Sequence, residues 1–158
     1  MSKPQIISGF QGEYRFLSNF HPCSITIVGI PYKSVEAAYQ ASKFPSVETR
    51  RHFSYLNAKE AKAKGRTMML SRDWDDMAKI TSMELCLRAK FLIPDLRARL
   101  ISTAPLEMIE TNNWGDKFWG VCNGSGRNVM GKLLMNLRSE LIDYEQVVID
   151  DNDKTIPF

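Results

Sequence analysis

Two acids stand out by their neighbours. Glu36 lies in "SVEAAYQASKF" and Asp116 in "NNWGDKFWG". Tyr39, Gln40 and Lys43 follow Glu36 at helical spacing. At about 3.6 residues per turn they share its face, so an acid, a phenol, an amide and an amine form one stripe. Such a stripe can stabilise a cation, hold water and offer a nucleophilic amine. Read alone, Glu36 is better taken as a first-turn charge matched to the helix dipole, and Lys43 as a solvated lysine. Asp116 sits between Trp114 and Trp119. Aromatic neighbours that exclude water suit a carboxylic acid to proton transfer. The same residue also reads as a turn former.

Three further stretches carry binding chemistry. "GVCNGSGRN" brings Gly120, Gly124 and Gly126 to a helix start near Asn128. Backbone N–H groups there can hold an anion, and Arg127 adds charge. The loop lacks the Gly-Lys-Ser/Thr ending of a nucleotide P-loop, and it also reads as a plain connection. "YRFLSNF" sets Ser18 and Asn19 between Phe16, Leu17 and Phe20, a combination suited to a base or sugar or to a tightly packed loop. "KGRTMMLSRDW" places Lys64, Arg66 and Arg72 before Trp74, which suits a phosphorylated heterocycle or a solvated helix end. His21 and His52 fit no ligand or triad spacing, so no metal site and no cofactor is expected.

The elements that must position these groups follow from period and caps. Residues 6–10 and 24–32 alternate apolar and polar side chains, with Gly29 at the break, and predict a small antiparallel strand pair. Ser34 caps the helix carrying Glu36, and Ser46 caps a second. Asn57 and Glu60 form a capping-box variant opening a third, which Gly65 ends or loosens. "DWDDMAKITSMELCLRAKFLI" is the longest helical pattern, with Met77, Ile80, Met83, Leu85, Leu87 and Phe91 as core candidates and Pro94 as its stop. "DLRARLIST" is a short helix, "LEMIE" a strand, and "NVMGKLLMNLRSELIDY" the last helix. The tail from Glu145 is expected to be a strand or frayed. The sum is an α-rich α+β domain.

A chain of 158 residues suits one domain with one core. A net charge of +3 is too small to mark a DNA-coating protein, yet it fits an anionic small molecule or one nucleotide at a time. Cys23, Cys86 and Cys122 are irregularly spaced, against a disulfide framework or zinc ribbon and in favour of a reduced, cytoplasmic setting. "MSKPQIISGF" has no export layout, and no apolar run reaches membrane length.

"GEYRFLSNF", "SVEAAYQASKF", "KGR…RDW", "LRAKF" and "DKFWG…GSGRNVMGKLLMNLR" together, in this order, resemble the NADAR family, the YbiA-like N-glycosidases. The resemblance runs from about Phe10 to about Arg138. It implies a single YbiA-like domain over residues 1–158, with a core at about 6–144, a tail at 145–158 and a small N-terminal antiparallel β element on a helical core. It also implies cleavage between a ribose anomeric carbon and an amine nitrogen. Members act on phosphorylated ribosylamino-pyrimidine intermediates of riboflavin synthesis, or remove ADP-ribose from the guanine amino group in nucleic acid.

Carried over by position, Glu36 and Asp116 match the family's acids, Lys43 its helix lysine and Trp74 its active-site tryptophan. Ser18, Asn19 and Phe20 match the entrance loop; Trp119, Gly120 and Asn128 match the glycine loop. Tyr39, Gln40 and Arg66 join the binding set. Ala37 stands where relatives often carry His, so no base is assigned there. The loop after Gly120 is about one residue short, with Cys122 near an expected glycine.

The expected chemistry develops positive charge at the anomeric carbon. Glu36 stabilises it or positions water, Asp116 handles the leaving amine, and Lys43 attacks the opened sugar or anchors it. Trp74 and Trp119 stack on the base. The preferred substrate is ADP-ribosylated guanine, with the ribosylamino-pyrimidine phosphate as alternative. A non-catalytic NAD or ADP-ribose sensor is the rival from another class; the joint presence of Glu36, Lys43 and Asp116 argues against it.

Overall fold

The computed structural model describes residues 5–70 and 73–153. It divides into two compact units, residues 10–96 and residues 1–9 with 97–158, and the α-rich α+β class is confirmed.

The first unit opens on a 3-10 helix, Gly12–Leu17, which buries Phe16 and Leu17. Strands β2 (Ile25–Ile27) and β3 (Ile30–Tyr32) then form an antiparallel hairpin, with Ile27 opposite Ile30. Val28 and Gly29 make its two-residue turn, and both have positive φ, 49° and 77°. That is the turn whose twist matches paired strands; glycine adopts it freely, whereas exposed Val28 is strained in it.

Four helices follow in this unit: α1 (Val35–Ser42), α2 (Val47–Phe53), α3 (Ala58–Thr67) and α4 (Asp76–Phe91). Their starts are where the caps predict. Ser34 Oγ accepts from Ala37 N at 3.0 Å, and Asn57 with Glu60 closes a full capping box. Asp75 caps α4 through Ala78 N at 2.8 Å. Helix α1 packs against α2, α3 and α4, and the hairpin lies on α4, so the β element on a helical core is as expected.

Three details differ from expectation. Gly65 does not end α3; the helix continues to Thr67 and Gly65 is buried within it. Met77 and Leu85 are 71% and 50% exposed, and Cys86 and Lys90 take buried places instead. The apolar residues of α4 are spread around the helix, so neighbours rather than period select the buried face. Pro94 stops α4 and also begins α5 (Pro94–Ser102), where its missing N–H costs nothing.

The second unit is built on a strand pair the sequence reading missed. Residues 6–10 do not pair with 24–32. Strand β1 (Ile6–Ser8) runs parallel to β4 (Glu107–Ile109), with Ile7 beside Met108. A partner a hundred residues away leaves no local trace. Strands β5 (Thr111–Asn112) and β6 (Val121–Cys122) form a second short parallel pair, and β4 packs against α6 (Val129–Asp153). The acidic tail is neither strand nor frayed through Asp153 but continues α6. No helix among the described residues is long and apolar enough to cross a membrane.

Candidate active site

The stripe on α1 is where the first unit gathers its chemistry. Ser34 fixes the helix start, which sets the phase that turns Glu36 inward. Glu36 is only 7% exposed, so it is no surface dipole charge. Its Oε1 accepts from Gln40 Nε2 at 2.8 Å, one turn on. Burial pushes the Glu36 carboxyl above the ordinary carboxylate range; the Gln40 hydrogen bond and then the charges of Lys62, Lys43 and Arg66 pull it back.

Lys43 closes the helix, with its ammonium 5.3 Å from the centre of the Tyr39 ring. Burial pushes it below the ordinary lysine value. Glu36 opposes that, and Lys79, Lys62 and Arg66 add to the fall. A half-buried amine among like charges is more readily neutral, the form that attacks carbon. Tyr39 in turn touches Trp74, ring centres 5.8 Å apart. Cys86 lies near enough to feel the Glu36 charge, and burial with that charge pushes its thiol up to about 12. It is therefore an inert thiol beside the acid.

The Ser18–Phe20 loop is tied to this stripe. Asn19 carbonyl accepts from Glu36 N at 3.0 Å, Ser18 Oγ accepts from Phe20 N at 3.2 Å, and Asn19 Nδ2 meets Met83 Sδ at 3.5 Å. The Lys62 ammonium lies 5.4 Å from the Phe20 ring centre. The sequence alone gives Lys90 no place in the site. This lysine is fully buried on α4, and its ammonium donates to the Ser18 carbonyl at 2.8 Å, pinning the loop. The signal was present: Met83, Leu87 and Lys90 share one helix line, and a lysine on an apolar line needs a reason. Arg66 is exposed at the end of α3, and Arg72 lies outside the described residues.

Asp116 and the glycine loop belong to the other unit. Asp116 is half-buried, and its flanking Trp114 is 65% exposed. Asp116 Oδ1 accepts from Phe118 N at 3.0 Å and Trp119 N at 2.9 Å. Asn112 Oδ1 accepts from Asp116 N at 3.0 Å, and Asn112 Nδ2 donates to Asp116 O at 2.7 Å. The Trp119 ring stands edge-on to Phe118, centres 4.8 Å apart, and the Arg127 guanidinium covers Phe118 at 4.6 Å. Gly120 is required by packing, since a Cβ there would overlap the Glu110 carbonyl. Asn128 sits at φ 50°, donating to Met108 O at 2.9 Å and accepting from Glu110 N at 3.0 Å. Its amide joins β4 to the start of α6.

Comparison with known proteins decides the family. A NADAR domain model matches residues 8–142. The chain belongs to the NADAR family. An N-glycosidase of Nostoc punctiforme is 37% identical over 136 residues, 81% of this chain and 86% of that protein. The N-glycosidase YbiA of Escherichia coli K12 is 34% identical over 135 residues, 82% of each. The NMR structure of E. coli YbiA matches with a TM-score of 0.80 at 31% identity, covering 92% of this chain and 90% of that one. A riboflavin biosynthesis protein of Vibrio vulnificus is 37% identical over 139 residues; the matched part spans 36% of its length. This NADAR chain is accordingly an N-glycosidase, a hydrolase of N-glycosyl bonds.

Proposed function

We propose that this NADAR protein removes ADP-ribose from the amino group of guanine in nucleic acid, cleaving the bond from ribose C1 to the amine nitrogen. The observation that supports it best is the buried Glu36 carboxylate with Lys43, Lys62 and Arg66 around it. A carboxylate stabilises the positive charge that develops at C1. Cations in excess of that one acid suit a substrate with several phosphates, and the contacting Tyr39 and Trp74 rings suit a stacked base.

In the proposed reaction the ribose opens to an iminium and the Lys43 amine adds to C1. Asp116 Oδ2 delivers a proton to the departing guanine amine. Water positioned by Glu36 then adds to the Lys43 Schiff base, releasing ADP-ribose and the free lysine. The balance is one water consumed per bond broken.

A second reading, a phosphorylated ribosylamino-pyrimidine, is favoured by the name of the Vibrio relative, which is a riboflavin biosynthesis protein. It needs the same bond cleavage and one phosphate.

The test is hydrolysis of an oligonucleotide bearing ADP-ribose on a guanine amine. Wild type is expected to restore guanine, and Glu36→Ala and Asp116→Ala to lose about a thousandfold and a hundredfold. Borohydride is expected to trap a sugar adduct in wild type and in neither Lys43→Ala nor Lys43→Arg. Wild type that is inert on this substrate but cleaves the ribosylamino-pyrimidine phosphate establishes the second reading. Absence of a trapped adduct reduces Lys43 to an anchor.

A further inference from the structure

Gly65 is an odd residue for the interior of α3, since only proline is a poorer helix former. It is buried on the same face as Ala58 and Ala61, where α3 meets α1. A Cβ built on it would overlap Gln40 Oε1 and stand 2.8 Å from Gln40 Cδ and 3.5 Å from Gln40 Cβ. All three atoms belong to one side chain, and it is the side chain that donates to Glu36. Gln40 Oε1 is buried and has no hydrogen-bond partner. The glycine surface is thus what backs the carboxamide on that side, while Nε2 on the other side meets Glu36 Oε1 at 2.8 Å.

We propose that Gly65 is a positioning residue: the slot left by its missing side chain seats the Gln40 carboxamide and so aims Gln40 Nε2 at Glu36. The collision an alanine would make is with the far end of a flexible side chain, not with backbone. Gly65→Ala therefore keeps the fold and gains helix propensity, but swings the carboxamide off Glu36. Glu36 loses a donor to its ionised form and becomes harder to ionise. The consequence for turnover rests on the proposed role of Glu36; the effect on the carboxylate itself does not.

The experiment follows the Glu36 side-chain carboxyl by carbon-13 NMR through a pH titration, with Glu36→Gln identifying the resonance. Wild type, Gly65→Ala, Gln40→Ala and the double variant are compared, each with its thermal midpoint. The Glu36 midpoint is expected to move up by about one pH unit in Gly65→Ala and in Gln40→Ala, and no further in the double variant, because both act through one carboxamide. The thermal midpoint of Gly65→Ala is expected to stay close to that of wild type, the gain in helix propensity offsetting a lost Gln40–Glu36 hydrogen bond of about the same size. A wild-type titration in Gly65→Ala, additive shifts in the double variant, or a Gly65→Ala protein that fails to fold each overturns the assignment. Turnover separates the two readings. An active Glu36→Gln enzyme sinks the role of Glu36 while leaving the titration result intact. If Glu36→Gln is dead, the acidic limb of kcat/KM in Gly65→Ala is expected to follow its NMR midpoint.

Discussion

The α1 stripe and the Asp116 loop each bring together an acid, an amide and aromatic rings, yet they use their polar atoms in opposite ways. On α1, side chain meets side chain: Gln40 on Glu36, Lys43 over Tyr39, Tyr39 against Trp74. In the loop, side chain meets backbone: Asp116 takes two N–H groups, Asn112 braces Asp116, and Asn128 joins Met108 to Glu110. The first arrangement leaves charge buried and poised. The second converts polar side chains into architecture. A resemblance of motifs treats both alike; the hydrogen bonds do not.

The sharpest way to break that contrast is at Asn128. Replacing it by alanine removes two bonds to backbone groups and leaves a non-glycine residue at positive φ without asparagine's tolerance for it. The combined cost is about 3 kcal/mol, read as a lower denaturation midpoint with an unchanged slope. If Asn128→Ala unfolds like wild type, the amide is not architecture and is available to substrate.

Asp116 tests whether one residue can serve both purposes. Asp116→Asn keeps an oxygen for Phe118 N and Trp119 N and removes only the charge; Asp116→Ala removes both. The proposed proton-transfer role predicts that both variants lose about a hundredfold in kcat/KM, equivalent to about 2.7 kcal/mol of barrier. Only the alanine variant is expected to lower stability as well. An asparagine variant with wild-type kinetics would make Asp116 a loop brace and nothing more.

What the sequence made legible was local. Ser34, Ser46 and Asn57 are caps because a hydroxyl or amide immediately before a helical run has one good use, and each is bonded as that rule requires. The Glu36–Lys43 stripe is legible from period alone. Its burial is not, because burial depends on α3 and α4 closing over α1. Gly65 illustrates the same limit: a glycine near a helix end usually terminates it, and only the approach of Gln40 gives the residue another purpose. Likewise Lys90 stands out in the sequence only as a lysine on an apolar helix line; its reason is the Ser18 carbonyl 2.8 Å away. The parallel pairing of β1 with β4 had no local signal at all.

The smallest effect sharpens the stripe rather than the loop. Because burial raises the pKa of Glu36, the native state holds that proton more tightly than the unfolded chain does. Ionised Glu36 therefore costs stability. The cost is absent below the unfolded-state value and grows as pH rises from there through the raised native value. Glu36→Gln keeps the shape and the acceptor for Gln40 Nε2 without the charge. It is expected to be more stable than wild type at pH 7–8, and to lose that advantage near pH 4. Lys43 limits the gain, since Glu36 supports its ammonium and removing that anion leaves the lysine less favourably placed. Paired thermal scans at the two pH values decide the matter. A difference between variants that does not change with pH would mean that the Glu36 charge is not strained by its site, and the contrast between poised stripe and braced loop would rest on hydrogen-bond pattern alone.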